Sequence, residues 1–306
     1  MYEIKYIDRR QKKQKVEKVY GDALINFFYS NKLGKNFTRF FISSPISKIV
    51  GRYHDTKKSA KKIPQFIKDF NIPMNEYVGG SLADRNIEES YSNFNEFFIR
   101  QFKPEMRKFS TEELGFCTPA EARYFAYKNI NQETAYPVKG EYLDPKKILS
   151  NSKYAEEFDE GPLIIARLCP VDYHRYHYMD DGITIESYQD KGKLHSVNPL
   201  ALKSYPQIFI ENEKRVSILE TKNFGLLAYI EVGAMCVGKI VQTSDESKAH
   251  RRGGEKGYFL FGASTVIIIG QKNKFKIDQD IIENTKNNIE TYCQLGERIG
   301  EAIVQS

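Results

Sequence analysis

The side chain with the clearest chemical potential is Ser264, in the run Gly257-Tyr-Phe-Leu-Phe-Gly-Ala-Ser-Thr-Val-Ile-Ile-Ile269. Small residues, from Gly262 to Thr265, separate two strand-like runs, so the chain can turn tightly and present the hydroxyl at a bend. A serine hydroxyl becomes a nucleophile when a base removes its proton. Gly and Ser are also the usual residues of an ordinary hairpin turn, and this segment alone favours that simpler interpretation.

A second segment, Pro170-Val-Asp-Tyr-His-Arg-Tyr-His-Tyr-Met-Asp-Asp-Gly182, contains two of the five histidines. Histidine can take and return a proton near neutral pH, so His174 and His177, with Asp172 nearby, indicate proton transfer or metal binding. The spacing is not the HExxH of a zinc site, and we expect no metal here. A core histidine bonded to backbone is the remaining alternative.

Composition sets the class of protein that must position these side chains. The chain has 306 residues, of which 41% are hydrophobic and 28% charged, as in a soluble globular protein. No stretch approaches the roughly 20 apolar residues that cross a bilayer. The net charge of +6 is concentrated in two lysine clusters, which indicate a solvated face or attraction to anionic lipid; nucleic acid is not expected. These lysines are Lys12, Lys13, Lys15, Lys18, Lys57, Lys58, Lys61 and Lys62.

The cysteines and the N-terminus indicate the compartment. Four cysteines lack CxxC spacing, so we expect reduced thiols and neither a zinc knuckle nor a disulfide framework. They are Cys117, Cys169, Cys236 and Cys293. The first residues, MYEIKYIDRRQKK, lack the apolar core of a signal peptide, which favours residence in the cytoplasm.

Periodicity predicts an α+β fold with N-terminal amphipathic helices, a mostly antiparallel β core and a C-terminal helix. Apolar residues at helical spacing run from Val16 to about Asp69, and a basic, aromatic helix of this kind can lie in a membrane interface. The final helix is expected from Ile281 to about Ile303, after Asp278 and Asp280 as possible caps.

After Thr118 the pattern changes to short β-branched runs separated by turns. Lys191-Gly192 and Asn223-Phe224-Gly225 are the hairpin signals. The predicted strands are Leu163 to Leu168, Gly182 to Tyr188, Val216 to Thr221, Leu226 to Val232, Val237 to Gln242 and Val266 to Ile269.

Taken together, the two chemical segments resemble the phosphatidylserine decarboxylases, whose hallmarks are a DYHRxH segment and a distant F-x-F/L-G-(G)-S-T-V segment where the chain cuts itself. Other matches follow in family order between about residues 90 and 270. They are Phe94-Asn-Glu-Phe-Phe-Ile-Arg100 with Lys103-Pro104 and Arg107, Pro119-Ala-Glu-Ala-Arg123, Ser196-Val-Asn-Pro199, Asn212-Glu213 with Arg215, and Val232-Gly-Ala-Met-Cys-Val-Gly-Lys-Ile240.

The resemblance implies a self-processing precursor. Ser264 would attack the carbonyl of Ala263, and elimination and hydrolysis would leave a pyruvoyl group, the covalent cofactor, at the new N-terminus. By motif position His177 is the base, Glu121 the carboxylate that orients it, and His174 the group that assists decarboxylation. The pyruvoyl carbonyl would form a Schiff base with phosphatidylserine and yield phosphatidylethanolamine and carbon dioxide.

The same resemblance implies an organisation. Residues 1–90 form a helical, membrane-associating region, and residues 91–306 form a β-rich catalytic domain cut into a large β chain (1–263) and a small α chain (264–306). These chains would form a heterodimer, with a dimer of heterodimers in line with the family. The enzyme would act peripherally, at the cytoplasmic face of an anionic membrane containing phosphatidylserine.

Three positions depart from the family pattern. Glu121-Ala122 replaces Asp-Gly, which changes the reach of the carboxylate toward His177. Ala263 replaces Gly, and its Cβ restricts the attacked carbonyl and could slow cleavage. Met179 replaces Pro, a change in loop stiffness.

Other functions remain open at this stage. A pyruvoyl enzyme acting on a soluble amino acid would share the chemistry, and an uncleaved lipid-binding relative would share the fold. A Ser-His-Glu hydrolase is disfavoured because Ser264 does not lie in a G-x-S-x-G elbow leading to a helix.

Overall fold

The computed structural model describes residues 3–18, 51–79, 90–130, 143–197, 202, 207–234, 239–262 and 264–304. Strands dominate this part of the chain. They are β1 (Lys5–Asp8), β2 (Lys13–Val16), β3 (Gly115–Cys117), β4 (Ala122–Tyr127), β5 (Leu163–Leu168), β6 (Arg175–His177), β7 (Gly182–Asp190), β8 (Lys214–Thr221), β9 (Gly225–Val232), β10 (Ile240–Gln242), β11 (Glu255–Phe259), β12 (Ser264–Gly270), β13 (Phe275–Ile277), β14 (Glu290–Cys293) and β15 (Arg298–Ala302).

The described strands form one large sheet and two small ones. Nine strands make the main sheet, in the order β2-β1-β14-β4-β5-β12-β9-β8-β7. Its pairs are antiparallel except for the parallel pair β1 and β14. The small sheets have the orders β10-β11-β6 and β13-β15-β3, also antiparallel. The predicted α+β class with mostly antiparallel sheets is therefore confirmed.

Helices in the described residues are short. They are α1 (Ile63–Phe70), α2 (Phe94–Phe98), α3 (Pro145–Ile148), α4 (Ile208–Glu211) and α5 (Gln279–Lys286), with 3-10 turns at Lys57–Lys62, Met74–Glu76 and Ala155–Phe158. Residues 51–54 are also helical. α2 begins after Asn93, whose side chain accepts a hydrogen bond from the Glu96 amide, as a helix N-cap does.

The main sheet is buried on both faces, which explains why β5 and β12 are continuous apolar runs. Side chains alternate between the faces because successive residues of a strand point in opposite directions. In β12, Ile267 and Ile269 join one core cluster, whereas Val266 and Ile268 join the other. A third cluster packs α1 and α2 against Phe261. The strand that Ser264 begins is thus rigidly enclosed.

Most strands predicted from apolar runs are confirmed. β5 has the predicted bounds, and β7, β8, β9 and β12 each contain the predicted run. The predicted run from Val237 corresponds to β10 at its end, and residues 235–238 lie outside the described residues. The Asn223-Phe224-Gly225 turn is also confirmed, because Thr221 pairs with Gly225, which has the left-handed φ of 67°.

The hairpin predicted at Lys191-Gly192 is wrong. β7 does pair with β8, but Asp190 pairs with Lys214, so the connection includes α4 and is much longer than a turn. Gly192 serves a different purpose: a Cβ there would lie 2.2 Å from the Glu211 carbonyl oxygen. Glycine is required by this close approach of two backbone segments.

The C-terminal helix predicted from Ile281 to about Ile303 is also wrong. The helix ends at Lys286, and β14 and β15 follow. Asn288, with φ of 55°, and Gly296, with φ of 75°, interrupt the helical path. Asp278 is the N-cap residue by position, but its carboxylate bonds to Arg9 and Arg298 instead of the helix.

The N-terminal amphipathic helices are not confirmed as predicted. Residues 5–16 form the hairpin of β1 and β2, which extends the main sheet through β14. Val16, where the predicted helical pattern begins, is in β2. Residues 19–50, which carry most of that pattern, lie outside the described residues. α1 lies in residues 51–70, the part of this region that the structure does describe.

Candidate active site

Ser264 begins β12, an internal strand of the main sheet. It pairs with Leu168 of β5, and the next residue, Thr265, pairs with Val232 of β9. Ser264 is completely buried, and its Oγ has no hydrogen-bond partner among the described residues. An unbonded buried hydroxyl costs about 1–3 kcal/mol, so such a group is typical of a reactive site. Ala263, the other half of the predicted scissile bond, lies outside the described residues.

The segment before Ser264 is not a hairpin turn. β11 pairs with β10 and β6, whereas β12 pairs with β5 and β9, so the two strands belong to different sheets. Gly262 adopts φ of 147°, a value that favours glycine. The alternative of an ordinary hairpin is therefore wrong, and Ser264 lies where the chain crosses between sheets. It leads into a strand, unlike the serine of a hydrolase elbow.

α2 holds this crossing in place. Asn95 is buried, and its Oδ1 accepts a hydrogen bond of 2.9 Å from the Phe261 amide. Its Nδ2 donates to Asp55 at 2.7 Å, which fixes the amide orientation. The rings of Phe94 and Phe98 contact Phe261 at centroid distances of 5.2 and 5.1 Å. The backbone two residues before Ala263 is therefore anchored.

His174 lies beside the crossing. Its ring is fully buried against Phe98, with centroids 3.9 Å apart, and its Nδ1 lies 3.1 Å from the Asp172 carbonyl oxygen. Burial lowers the His174 pKa to about 3, although the backbone of Gly262 opposes this shift. The imidazole is therefore neutral at neutral pH. Because a carbonyl only accepts, Nδ1 carries the proton and Nε2 is the free nitrogen.

His177, at the end of β6, is held by two backbone segments. Its amide donates to the Pro119 carbonyl at 2.8 Å, and its Nδ1 lies 3.0 Å from the Gly253 carbonyl oxygen. Its Nε2 is buried and has no partner among the described residues. Burial lowers the His177 pKa, so the ring is neutral with Nδ1 protonated. A bare Nε2 is the form that a general base needs.

Glu121 is placed by Arg107 and Tyr292. Its carboxylate accepts hydrogen bonds from Arg107 Nε at 2.5 Å and Nη2 at 3.1 Å, and from the Tyr292 hydroxyl at 2.7 Å. No hydrogen bond joins Glu121 to His177 within the described residues, since His177 Nδ1 meets Gly253 instead. The two are neighbours through Pro119, and the predicted direct orientation of His177 by Glu121 stays a prediction.

A network of buried charges holds the segment Asp172–Arg175. The spacing of residues in the sequence did not reveal this network. Asp172 accepts hydrogen bonds from Arg123 Nη1 at 2.6 Å and from the Cys169 amide at 2.7 Å. Arg100 Nη2 donates to the carbonyl of Val171 at 3.0 Å. Arg100 and Arg123 lie in segments already singled out, but their partners are far away in sequence. The ring centroid of Phe109 lies 6.0 Å from that of His177. No pattern in the sequence indicated that Phe109 or Gly253 would lie beside His177.

One cavity lies remote from these groups. It has a volume of about 540 Å³ and is lined by residues that include Pro162, Lys276 and Glu301. Pro162 accepts a hydrogen bond from the Gly270 amide, at the opposite end of β12 from Ser264. This cavity therefore lies about 20 Å from the serine, given the rise of a strand.

The described residues contain neither a candidate metal cluster nor a candidate membrane-spanning helix. No group of three or more His, Cys, Asp or Glu side chains could hold a metal ion. In the same part of the chain no helix is long and apolar enough to cross a membrane.

The chain is similar to proteins of one known class. The sequence profile of phosphatidylserine decarboxylase matches residues 94–301. A "Phosphatidylserine decarboxylase proenzyme" from Clostridium botulinum is 40% identical over 302 residues, which cover 98% of this chain and 100% of the relative. A proenzyme of the same name from Clostridium perfringens is 42% identical over 298 residues, covering 97% and 99%. These relatives define a class of carboxy-lyases made as zymogens for phospholipid biosynthesis.

The chain belongs to the phosphatidylserine decarboxylase family. It is a decarboxylase, and the resemblance inferred from its motifs is confirmed.

Proposed function

We propose that the chain cuts itself between Ala263 and Ser264, converts Ser264 into a pyruvoyl group, and decarboxylates phosphatidylserine to phosphatidylethanolamine. The observation that carries this proposal is the buried Ser264 Oγ, which has no partner in the described part of the chain, at the crossing between two sheets. The pyruvoyl group would need no separate binding site, because it is formed from the chain itself.

In the first step Ser264 Oγ attacks the Ala263 carbonyl carbon and the amide bond is replaced by an ester. His177 Nε2 is proposed to take the hydroxyl proton, since it is bare, buried and unpartnered among the described residues. Elimination of the ester releases residues 1–263 with a new carboxylate. Water then hydrolyses the remaining dehydroalanine, which releases ammonia and leaves the ketone at residue 264.

In the lyase step the pyruvoyl group would supply an electron sink for the pair that carbon dioxide leaves behind. His174 Nε2 is proposed to take a proton from water and pass it to the substrate carbon, which has lost carbon dioxide. Its ring is neutral and buried next to Gly262, so it can be charged only transiently. Burial against Phe98 also keeps water from that face of the site.

Glu121 is proposed to support His177 from the segment that begins at Pro119. Arg107 and Tyr292 hold the Glu121 carboxylate, and the Pro119 carbonyl two residues earlier accepts the His177 amide proton. Because Arg107 and Tyr292 fix Glu121, the segment that contains Pro119 is also fixed, and it keeps the backbone of His177 in place.

For the substrate we propose phosphatidylserine in an anionic membrane, met peripherally at the cytoplasmic face. The 3-10 turn Lys57–Lys62 supports this: four lysines are exposed, whereas Ser59 and Ala60 are buried. A one-sided basic ridge is attracted to anionic headgroups, by about 1 kcal/mol per lysine near the surface. Vesicle co-sedimentation of the wild type and of a variant with Gln in place of Lys57, Lys58, Lys61 and Lys62 tests this, because these exposed side chains can be changed without removing part of the main sheet. Binding by neither would favour a soluble amino acid as substrate.

Denaturing electrophoresis of Ser264→Ala tests the proposed self-cleavage. We expect the wild type to give two bands, corresponding to residues 1–263 and 264–306, and Ser264→Ala to stay a single chain. Thr265→Val is the matched control, because Thr265 is also buried with an unpartnered hydroxyl. This control should still be cut. An uncut wild type would favour a non-catalytic lipid-binding relative instead.

A further inference from the structure

The two groups proposed for self-cleavage lie on different sheets. His177 ends β6 of the small sheet β10-β11-β6, and Ser264 begins β12 of the main sheet. Proton transfer between two side chains requires a fixed relation within a fraction of an ångström. Some contact between the sheets must therefore fix His177 relative to β12.

A β-bulge lies directly opposite His177. On β11, Glu255 pairs with His177 and Gly257 pairs with Tyr176, so Lys256 is an extra residue between them. A bulge bends its strand and changes the direction of nearby side chains, and bulges are frequent next to active sites. The conformation of Lys256 thus sets the local path of β11, the strand that pairs with His177.

The Lys256 side chain is completely buried and surrounded by oxygen atoms. Its Nζ lies 2.8 Å from Glu231 Oε1, 3.2 Å from Glu246 Oε1, 3.0 Å from Ser217 Oγ and 2.9 Å from Gln242 Oε1. Arg215 in turn bonds to Glu246 at 2.5 Å. The ammonium group therefore has a single well-defined position.

One of these contacts, Glu231, comes from β9, the neighbour of β12. Glu231, also fully buried, pairs in register with Val266, two residues after Ser264. Tyr229 of the same strand places its ring 5.2 Å from Lys256 Nζ, and its hydroxyl donates to the His177 carbonyl at 3.3 Å. β9 thus contacts both the bulge and the backbone of His177.

We propose that Lys256 is a positioning residue for self-cleavage: anchored on Glu231, it fixes the bulge that aims His177 at Ser264. The inference rests on the proposed role of His177 as the base. A fully buried ion pair adds little stability compared with an apolar pair of similar size, so its contribution here is geometric. Lys256 itself does not touch the reacting atoms.

The test measures self-cleavage of newly made chain. The double variant Lys256→Met/Glu231→Gln removes both charges, so no unpaired carboxylate remains in the core. In cell-free pulse-chase synthesis we expect its first-order cleavage rate to fall about 100-fold, the usual result of a misplaced catalytic group. The pH at half-maximal rate should not move, because Lys256 acts through geometry. A rate within threefold of the wild type, or a shifted pH midpoint, would overturn the inference.

The matched control is Lys214→Met/Asp190→Asn, which removes another buried lysine and its carboxylate, 2.8 Å apart on β8 and β7. This pair does not touch β11, and we expect cleavage within threefold of the wild-type rate. An equal loss in both double variants would show a general effect of destabilisation and would also overturn the inference. His177→Ala separates the two proposals: normal cleavage in this variant would overturn the role of His177, and with it the inference, but not the proposed self-cleavage, whereas an uncut wild type would overturn the proposed function.

A milder pair of variants covers the case in which the double variant does not fold. Ser217→Ala removes one of the four oxygens around Lys256 Nζ and should slow cleavage by roughly fivefold, the equivalent of one hydrogen bond. Ser187→Ala removes the neighbouring hydroxyl, 3.3 Å from Ser217 Oγ, which is not among the contacts of the ammonium group. Equal rates for these two variants would contradict the proposed role of Lys256.

Discussion

Residues around the site are held mainly by backbone groups. His177 is fixed by the carbonyls of Pro119 and Gly253, and His174 by the carbonyl of Asp172. A backbone carbonyl sets the tautomer of an imidazole as firmly as a carboxylate, but it adds no negative charge. Both rings therefore stay neutral, with burial keeping their pKa values low.

The first prediction concerns pH. Burial lowers the His177 pKa below its ordinary 6.5, so Nε2 stays unprotonated as the pH falls through 6.5. We expect the self-cleavage rate to be constant from pH 8 to about pH 6.5 and to fall only in more acidic solution. Pulse-chase synthesis followed by pH jumps measures this. A rate that halves at or above pH 6.5 would contradict a buried, neutral base.

The second prediction concerns Glu121. Glu121→Gln weakens its bonds to Arg107 and should slow self-cleavage about tenfold, as loss of a supporting hydrogen bond commonly does. The pH midpoint should stay where it is, because Glu121 is not among the groups that shift the His177 pKa. Tyr292→Phe, which removes the other hydrogen bond to Glu121, is the companion variant. A midpoint that falls in Glu121→Gln would instead reveal a direct carboxylate–imidazole pair.

At the scale of elements, α2 is the support for the crossing between β11 and β12. Asn95→Leu should leave the Phe261 amide without its acceptor and slow self-cleavage by roughly tenfold, given about 1–3 kcal/mol for an unsatisfied buried group. Glu96→Ala is the control on the same helix, since within the described ranges its carboxylate bonds only to the exposed Ser92 amide. Equal rates in both variants would exclude this role of α2.

Strands that consist of long apolar runs could be predicted from the sequence, whereas short strands rich in polar residues could not. β5 and β12 are enclosed on both faces, so their composition alone reveals them. β1, β2 and β14 are short and rich in charged or polar residues, and β14 is held by two strands distant in sequence, β1 and β4. Local periodicity carries no information about such a pairing, and so the C-terminal region was wrongly predicted as one helix.

The residues of the candidate active site also differ in whether the sequence indicated them. Ser264, His174 and His177 were singled out by their motifs together, because each segment alone also fitted an ordinary turn or a core histidine, and their roles stay predictions. The orienting groups, Gly253 and Pro119, act through their backbone, which any residue type possesses. Lys256 could not be predicted either, because its partners come from three other strands and one loop.

At the scale of the whole molecule, the proposed cut leaves two interlocked chains. β12 lies between β5 and β9, and β14 lies between β1 and β4, so residues 264–306 supply two internal strands. Buried ion pairs reinforce this arrangement, since Arg167 bonds to Glu290 of the small chain and to Glu17 of the large one. Cleavage is thus expected to leave the fold intact.

A prediction follows for the cleaved protein. Size-exclusion chromatography in native buffer should give one species containing both chains, because separation would break the pairing of two internal strands. The chains should separate only in denaturant. Arg167→Met is expected to lower the stability of this complex by about 3–5 kcal/mol, as breaking a buried ion pair does. Spontaneous release of residues 264–306 from native protein would contradict the arrangement.

The central claim is that Ser264 becomes a ketone at a new chain end. Intact-mass spectrometry of freshly purified protein tests it most directly. The account predicts a chain of residues 264–306 lighter than its serine-started form by one molecule of ammonia, together with a chain of residues 1–263. A single chain of full length, or a small fragment that still begins with serine, would contradict it.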